Sequence, residues 1–348
     1  MQFRLISPNK KGKILVYLAA FASLIATTLS NKLLPEQYFR DSNFLRARSE
    51  SAITGFGDSF EFVTRFYSAI GLNDNQYLLS FAQWILFAFA LFLSGRHNEI
   101  TEKRTFVYQV LYLSLIPFYG SVLTKELFVG IVIIVYLWLA ANFSSNLKVR
   151  FTLVLAMMAL IALTIRQYYF LTIIIFFSYL ILIRNRSKVI RVFALLTFVP
   201  LLASFEYRFA LVRSFTQLDL FETRIRILAK LPILPRTAIE QDYYQLNFFD
   251  NLLIYLQVIQ QIFVPVQVFQ LSVYSLGTFL LGISLGILML MELWSNENKV
   301  FSPERYFLLS YLTTATIFEP DLGSFVRHTF PILPLLIFAR RKIISSVN

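Results

Sequence analysis

The sequence predicts an all-α protein: a polytopic transmembrane helical bundle of about ten spans, folded as a single integral membrane domain over residues 1–348. Its composition is the first reason. Of the 348 residues, 57% are apolar and 15% are charged, with a mean hydropathy of +0.63, whereas about a quarter of the residues in soluble domains are charged. The second reason is that the apolar residues occur in runs of about 15–22, close to the roughly 20 needed to cross a bilayer.

Ten apolar runs are predicted to span the membrane. The first follows three lysines and is not followed by a small-x-small cleavage pattern, so we expect a retained anchor and not a cleaved signal peptide. The predicted spans are 14–30, 77–94, 106–123, 127–143, 151–165, 168–183, 192–207, 272–293, 306–318 and 329–339.

The charges between these spans predict the topology. Alternate segments, including both termini, carry 18 Lys and Arg against 4 acids. The two long loops of the opposite set, 31–76 and 208–250 with its approach at Glu206, carry 11 Lys and Arg against 12 acids. By the positive-inside rule both termini are cytoplasmic. The net charge of +12 is therefore mostly a topology signal, and we expect no nucleic-acid partner. The absence of cysteine excludes disulfides, iron–sulfur clusters and thiol nucleophiles.

The two long outer loops are expected to carry interfacial helices. In loop 31–76, apolar residues from Phe60 to Ile70 recur at helical spacing, and loop 208–250 contains a second amphipathic stretch. The segment 251–269 is apolar but contains four glutamines and a proline. We interpret it as interfacial or re-entrant, because another full span would break the alternation of charge.

Several enzyme signatures are missing from the sequence. It contains no phosphate-binding GxxxxGK[ST] loop, no GxSxG, no HExxH and no CxxC. Since only His97 and His328 are histidines, a multi-histidine metal site is excluded, and any metal would be a hard divalent cation held by carboxylates. We predict no cofactor.

Charged residues at the ends of spans are candidate site residues, because charge there is costly. In FRDSNFLRAR, Asp41 could accept a proton or hold a cation, with Arg46 and Arg48 nearby; alternatively, these charges only pair with one another. In SVLTKELF, Lys125 and Glu126 open the fourth span, where Glu126 could be catalytic or could only cap the helix.

Two further clusters lie at the same predicted face. Arg166 in TIRQYYF could bind an anion, or could form a structural pair with Glu126 or Asp321. In EPDLGSFVRHTFPILPL, Arg327 could bind a phosphate bidentately and His328 could protonate a leaving group. The alternative is that Arg327 and His328 anchor lipid headgroups.

Cations gathered at one face with scattered carboxylates predict an anionic, membrane-bound substrate. A glycan joined to a lipid by a phosphate or diphosphate fits, and the chemistry would be glycosyl transfer. Two other hypotheses remain: a transporter or flippase of lipid-linked or anionic glycans, and a non-catalytic scaffold of a polysaccharide assembly complex.

With these motifs the chain resembles the Wzy-type repeat-unit polymerases and GT-C-like glycosyltransferases of bacterial envelope-polysaccharide clusters. The resemblance is carried by FRDSNFLRAR after span one, PFYGSVLTKELF, IRQYYF and GSFVRHTFPILP. It implies a glycosyltransferase acting on polyprenyl-diphosphate-linked sugars at the outer face of the bacterial inner membrane, with a chain-length regulator and a flippase as partners. The implied catalytic residues are Asp41, Glu126 and His328, and the implied substrate-binding residues are Arg46, Arg48, Lys125, Arg166, Asp321 and Arg327. Many GT-C enzymes have paired acids in the first loop, whereas Asp41 stands between Arg40 and Ser42, which speaks against a metal-dependent mechanism.

Overall fold

The computed structural model describes residues 8–34, 39, 42–43, 59–72, 75–95, 103–142, 146–165, 169–183, 302–318 and 322–339. Within these ranges the regular structure is helical and contains no strand, which confirms the predicted all-α class. The helices are α1 (Pro8–Thr28), α2 (Ser30–Leu33), α3 (Ser59–Ala69), α4 (Gln76–Gly95), α5 (Lys103–Tyr119), α6 (Glu126–Asn142), α7 (Leu147–Thr164), α8 (Phe170–Ile183), α9 (Pro303–Phe318) and α10 (Leu322–Thr329). A 3-10 turn, Phe330–Ile332, and helical residues 333–339 follow α10.

The predicted spans that fall within the described ranges are largely α-helical. The main exceptions are residues 120–123 at the end of the third span and the 3-10 turn Phe330–Ile332 in the last. An apolar run becomes helical because a helix satisfies its own backbone N–H and C=O groups where water cannot. The predicted spans 192–207 and 272–293, the loop 208–250 and the segment 251–269 lie outside the described residues.

Two of the described helices, Gln76–Ser94 and Leu147–Thr164, are long and apolar enough to cross a membrane. Five shorter apolar helices accompany them: Gly12–Thr28, Phe106–Tyr119, Glu126–Asn142, Phe170–Ile181 and Phe325–Ala339. The finer prediction of about ten spans stays a prediction.

Helix α3 confirms the helical spacing predicted for the first long loop. It buries Val63, Thr64 and Tyr67 on one side and exposes Arg65 on the other. Gly71 ends it in the left-handed conformation, with φ 67°. There the Leu72 N–H donates to the Tyr67 carbonyl at 3.1 Å, as in a Schellman cap. That α3 lies on a bilayer surface stays a prediction.

The chain divides into two compact units, one formed by Met1–Arg166 with Phe330–Asn348 and the other by Gln167–Thr329. In the first unit, Ser23 of α1 joins two other helices. Its hydroxyl donates to the Leu113 carbonyl of α5 at 2.6 Å and accepts from the Trp84 indole of α4 at 3.2 Å. The single membrane domain predicted over 1–348 stays a prediction.

The core of the first unit is aromatic around Phe330. Its ring lies 4.8 Å from that of Phe87 on α4 and 4.9 Å from that of Tyr112 on α5, centroid to centroid. Gly130 of α6 permits close approach of α4, since a Cβ there would lie 2.7 Å from the Phe87 ring. Small residues at such positions let apolar helices pack closely.

In the second unit, hydroxyl contacts join α8 and α9. The Thr172 hydroxyl donates to the Thr314 hydroxyl at 2.9 Å, and the hydroxyls of Tyr179 and Thr313 lie 2.7 Å apart. Such bonds between apolar helices each contribute about 0.6 kcal/mol, and up to about 1.7.

Candidate functional site

The first candidate site is built on a short non-helical segment, residues 120–125, between α5 and α6. Helix α5 ends at Tyr119, four residues before the predicted end of the span at 123. Residues 120–124 are all buried, and only Lys125 is half-buried. A buried irregular backbone must find hydrogen-bond partners outside regular structure, so the neighbours of this segment decide whether it is stable.

Helix α4 supplies most of those partners. The Ser121 carbonyl accepts from the Gln76 amide and from the Ser80 hydroxyl, the latter at 3.1 Å. The Val122 carbonyl accepts from the Gln83 amide at 3.2 Å. Gln76, Ser80 and Gln83 are four and three residues apart, so they form one polar stripe along an otherwise apolar helix.

Helix α3 adds a further partner, Tyr67. We call Gln76, Ser80, Gln83 and Tyr67 the frame of segment 120–125. The Tyr67 hydroxyl donates to the Thr124 carbonyl at 3.2 Å and accepts from the Gln83 amide at 3.0 Å. The Leu123 N–H donates to the Ser42 hydroxyl at 3.4 Å. Segment 120–125 is thereby fixed from two helices, and so is the start of α6.

That start is where Lys125 and Glu126 lie. Glu126 is only 4% exposed and occupies the first turn of α6, where the helix dipole favours a carboxylate. The Phe128 N–H donates to the Lys125 carbonyl at 3.0 Å, which places Lys125 at the cap position of the helix. Glu126, for which a capping role is the predicted alternative, therefore lies in the first turn of α6, and Lys125 immediately precedes the helix.

The Tyr67 phenol lies within the electrostatic influence of this carboxylate. Its burial raises the pKa of Tyr67 well above the ordinary value near 10, and the Glu126 carboxylate raises that pKa further. The phenol therefore stays protonated at any physiological pH and acts as a hydrogen-bond donor beside Glu126.

Some polar atoms of this frame lack a partner. Among the described residues, Gln83 Oε1 and Thr124 Oγ1 make no hydrogen bond, although Gln83 and Thr124 are 1% and 3% exposed. Thr64 Oγ1, one turn before Tyr67 on α3, likewise makes no hydrogen bond within the described ranges. A buried polar atom without a partner is destabilising and calls for an explanation.

Two other predicted site residues lie together in the second unit. Arg327 and His328 occupy the last turn of α10, whereas the sequence predicts them at the opening of the final span. Positive charge in a last turn is favoured by the helix dipole. His328 is 2% exposed, and its carbonyl accepts from the Tyr311 hydroxyl at 2.9 Å. The Tyr311 ring in turn stacks on Tyr169 with centroids 4.8 Å apart.

Lys125 and Glu126, which are adjacent in the sequence, thus lie in the first unit, and the adjacent Arg327 and His328 lie in the second. The remaining predicted site residues, Asp41, Arg46, Arg48, Arg166 and Asp321, lie outside the described residues. Within the described ranges, no group of three or more His, Asp or Glu residues could hold a metal ion.

Sequence reasoning missed the residues that hold the site. Gln76, Ser80, Gln83 and Thr124 are uncharged, and Tyr67 counted only as an apolar residue of a periodic stretch. One signal could have found three of them: glutamine, serine and glutamine at i, i+4 and i+7 of an apolar helix form a single stripe.

No protein-family model, curated protein or solved structure matches this chain. The resemblance to polysaccharide polymerases therefore stays a prediction.

Proposed function

We propose that this chain is a multi-span membrane glycosyltransferase of the polymerase type. It joins polyprenyl-diphosphate-linked sugar units at the outer face of the bacterial inner membrane during surface polysaccharide synthesis. One observation carries the proposal: the Glu126 carboxylate is buried beside Lys125, on a hydrogen-bonded segment between two apolar helices. A cation and a buried carboxylate at one helix start are the groups that transfer from a diphosphate requires.

Exposed apolar stripes support the membrane location. On α4, the large apolar residues from Tyr77 to Phe92 that face outward are 43–60% exposed. At 1.5 Å per residue this stripe covers about 22 Å, most of the roughly 30 Å of a bilayer core. On α1 a similar stripe includes Tyr17, Leu18 and Phe21, which are 71%, 58% and 62% exposed. Contiguous exposed apolar surface of this extent is typical of a membrane-facing or protein-facing surface.

Glu126 would act as the general base. Its carboxylate accepts the proton of an acceptor sugar hydroxyl as the hydroxyl oxygen forms a bond to the anomeric carbon of the donor. The bond between that carbon and the diphosphate oxygen breaks, and polyprenyl diphosphate leaves with the electron pair. The neutral Tyr67 phenol holds the Thr124 carbonyl, two residues before Glu126. It does not compete for the proton, because burial keeps the pKa of Tyr67 high.

Lys125 would stabilise negative charge on the departing diphosphate. The predicted contributions of Arg166, Arg327 and His328 to diphosphate binding and leaving-group protonation belong to the same proposal and rest on the sequence. Asp41, as an alternative base, rests on the sequence as well. The position of Lys125 and Glu126 at a junction of two helices favours this reading over a transport pathway, which would place charge within the spans.

The test is the variant Glu126→Gln, with Glu304→Gln as matched control. Glu304 is a fully buried glutamate in the first turn of α9, and its Oε2 accepts from the Ser302 hydroxyl at 2.8 Å. Both variants replace a buried carboxylate at a helix start by its isosteric amide, but only one removes the proposed base.

The variants are expressed in cells that lack the wild-type gene, and lipid-linked and surface polysaccharide are separated on a gel. We expect Glu126→Gln to reduce polymer formation by about 10²–10⁴-fold at normal protein level, and Glu304→Gln to retain the ladder. A wild-type ladder with Glu126→Gln would refute the assignment of the base. Movement of labelled lipid-linked sugar across vesicles by purified protein, without joining of units, would instead establish the flippase.

A further inference from the structure

The exposed side of α1 is an apolar face with a lysine at each end. Phe21 and Leu29 on this face are 62% and 39% exposed, and Lys13 and Lys32 are exposed as well. No charged residue lies between the two lysines. Helical hydrogen bonds continue from α1 into α2, since the Leu33 N–H donates to the Leu29 carbonyl at 3.1 Å. The 19 residues from one lysine to the other therefore cover about 28 Å at 1.5 Å each, close to the roughly 30 Å of a bilayer's hydrocarbon core.

The apolar faces of α1 and α4 have their midpoints at the same level. The midpoint of the lysine-bounded face falls at residues 22–23, and the Ser23 hydroxyl accepts from the Trp84 indole of α4 at 3.2 Å. The exposed face of α4 runs from Tyr77 to Phe92, so its midpoint falls at residues 84–85. Each midpoint derives from its own helix, yet a single hydrogen bond joins them. This level is where the midplane of a surrounding bilayer is expected.

Segment 120–125 lies to one side of this level, toward the start of α4. Its carbonyls accept from the side chains of Gln76, Ser80 and Gln83. These three residues precede Trp84 by one to eight positions, which is about 2–12 Å along the helix. Half of the hydrocarbon core measures about 15 Å. The segment therefore lies below the boundary between hydrocarbon and headgroups.

This depth explains why the segment has a frame of side chains. Non-helical backbone within the hydrocarbon depth is tolerated only where protein surrounds it. Residues 120–124 are all buried, and α4 supplies side-chain donors to the carbonyls of Ser121 and Val122. Tyr67 supplies a donor to the Thr124 carbonyl. In the headgroup layer, water would satisfy these carbonyls and such side chains would not be required.

We propose that the exposed faces of α1 and α4 contact the acyl chains of a phospholipid bilayer, with its midplane at the level of Ser23 and Trp84. Lys13 and Lys32 then reach the headgroup phosphates on opposite sides, and segment 120–125 is recessed below the headgroups. The inference rests on the membrane location in the proposed function and not on glycosyl transfer.

The recess has a consequence for the proposed base. The sequence predicts Lys125 and Glu126 at the rim of a span, whereas Glu126 directly follows the recessed segment. In the proposed transfer, the acceptor hydroxyl therefore has to reach Glu126 below the headgroup boundary.

Spin labels on single cysteines test the proposal, because the chain contains no cysteine of its own. In each variant one exposed residue is replaced by cysteine and carries a nitroxide, and the purified full-length protein is reconstituted in phosphatidylcholine vesicles. Power-saturation EPR measures collisions of the label with oxygen, which concentrates in hydrocarbon, and with a neutral nickel complex, which stays in water. The replaced residues are Lys13, Tyr17, Phe21, Ile25, Leu29 and Lys32 on α1 and α2, and Tyr77, Phe81, Ile85, Phe89 and Phe92 on α4.

We expect the ratio of oxygen to nickel collisions to peak between Phe21 and Ile25 on α1 and at Ile85 on α4, and to fall toward both ends of each face. Phe81 reports the depth of the recessed segment, because it follows Ser80, whose hydroxyl binds that segment. The label at Phe81 should collide with oxygen and hardly with nickel.

The matched control is Leu33→Cys. Leu33 and Phe21 are both 62% exposed, but Leu33 lies beyond Lys32 and therefore outside the lysine-bounded face. Its label should collide readily with the nickel complex.

The other outcomes are equally distinct. Nickel collisions at Phe21 equal to those at Leu33 would overturn the proposal, since water would then contact α1. Few collisions with either reagent at Phe21 and Ile85 would overturn it too, because protein and not lipid would cover these faces. A peak displaced to Tyr77 would reject the midplane and the recess. The expected profile in a protein whose Glu126→Gln variant still makes full-length polymer would retain the bilayer surface and reject the base.

Discussion

Replacing Tyr67 by phenylalanine removes one hydroxyl from the centre of the frame. That hydroxyl donates to the Thr124 carbonyl and accepts from the Gln83 amide, and its residue is 1% exposed. The Gln83 amide keeps its bond to Val122, so the Thr124 carbonyl suffers the main loss. Leaving the buried Thr124 carbonyl unsatisfied costs about 1–3 kcal/mol, and losing the bond from the Gln83 amide costs about 1 kcal/mol. We therefore expect Tyr67→Phe to lower the free energy of unfolding by about 2–4 kcal/mol.

The same variant has a pH signature. The pKa of Tyr67 is raised in the folded protein by burial and by Glu126, whereas the phenol of the unfolded chain ionises near pH 10. Above about pH 10 the unfolded state binds fewer protons than the folded state, so stability falls as pH rises. One such group lowers the free energy of unfolding by about 1.4 kcal/mol for each pH unit above this point. Tyr67→Phe should remove that contribution.

The assay is equilibrium unfolding in mixed micelles with increasing denaturing detergent. It is measured from pH 8 to pH 11, so that the highest pH lies about one unit above the ordinary tyrosine pKa. Tyr17→Phe is the control, because it also removes one tyrosine hydroxyl, but from an exposed position on α1 outside the frame, where the side chain is 71% exposed. Equal stability of Tyr67→Phe and the wild type at pH 8, with the same loss above pH 10, would refute the account of the frame.

Two further predictions concern packing. Gly130→Ala places a Cβ 2.7 Å from the Phe87 ring, so we expect overpacking to cost about 1–3 kcal/mol in the same unfolding assay; an unchanged midpoint would mean that α4 and α6 are not in close contact there. Thr314→Val and Thr172→Val each remove the 2.9 Å bond between α8 and α9; in a double-mutant cycle we expect a coupling of about 0.6–1.7 kcal/mol, and strictly additive losses would contradict the bond.

The helices could be predicted because an apolar backbone has few alternatives. Where water is excluded, a run such as 127–143 must satisfy its own backbone groups, and it does so as α6. The end of α5 could not be predicted in the same way. Val122 and Leu123 are apolar and buried, but the segment leaves the helix because α4 offers side-chain donors to its carbonyls. Only the folded arrangement contains that information.

The charged residues of the candidate site could be predicted from the sequence. Glu126 and Lys125 are conspicuous in an apolar sequence, because burying charge is costly. The hydrogen-bonding partners Gln83 and Thr124 are not, since uncharged polar residues occur in apolar helices for many reasons. The helical spacing correctly places Tyr67 on the buried face of α3. It does not reveal the role of the Tyr67 hydroxyl, which depends on Thr124, 57 positions away.

The most direct test of the proposed function is the glycan of cells from which this gene is deleted. Extracted lipid-linked and surface polysaccharide are run on a gel beside those of the parent and of the complemented strain. The proposed polymerase predicts single repeat units in place of the ladder, with the ladder restored by the wild-type gene but not by Glu126→Gln. A ladder unchanged by the deletion would contradict the proposed function.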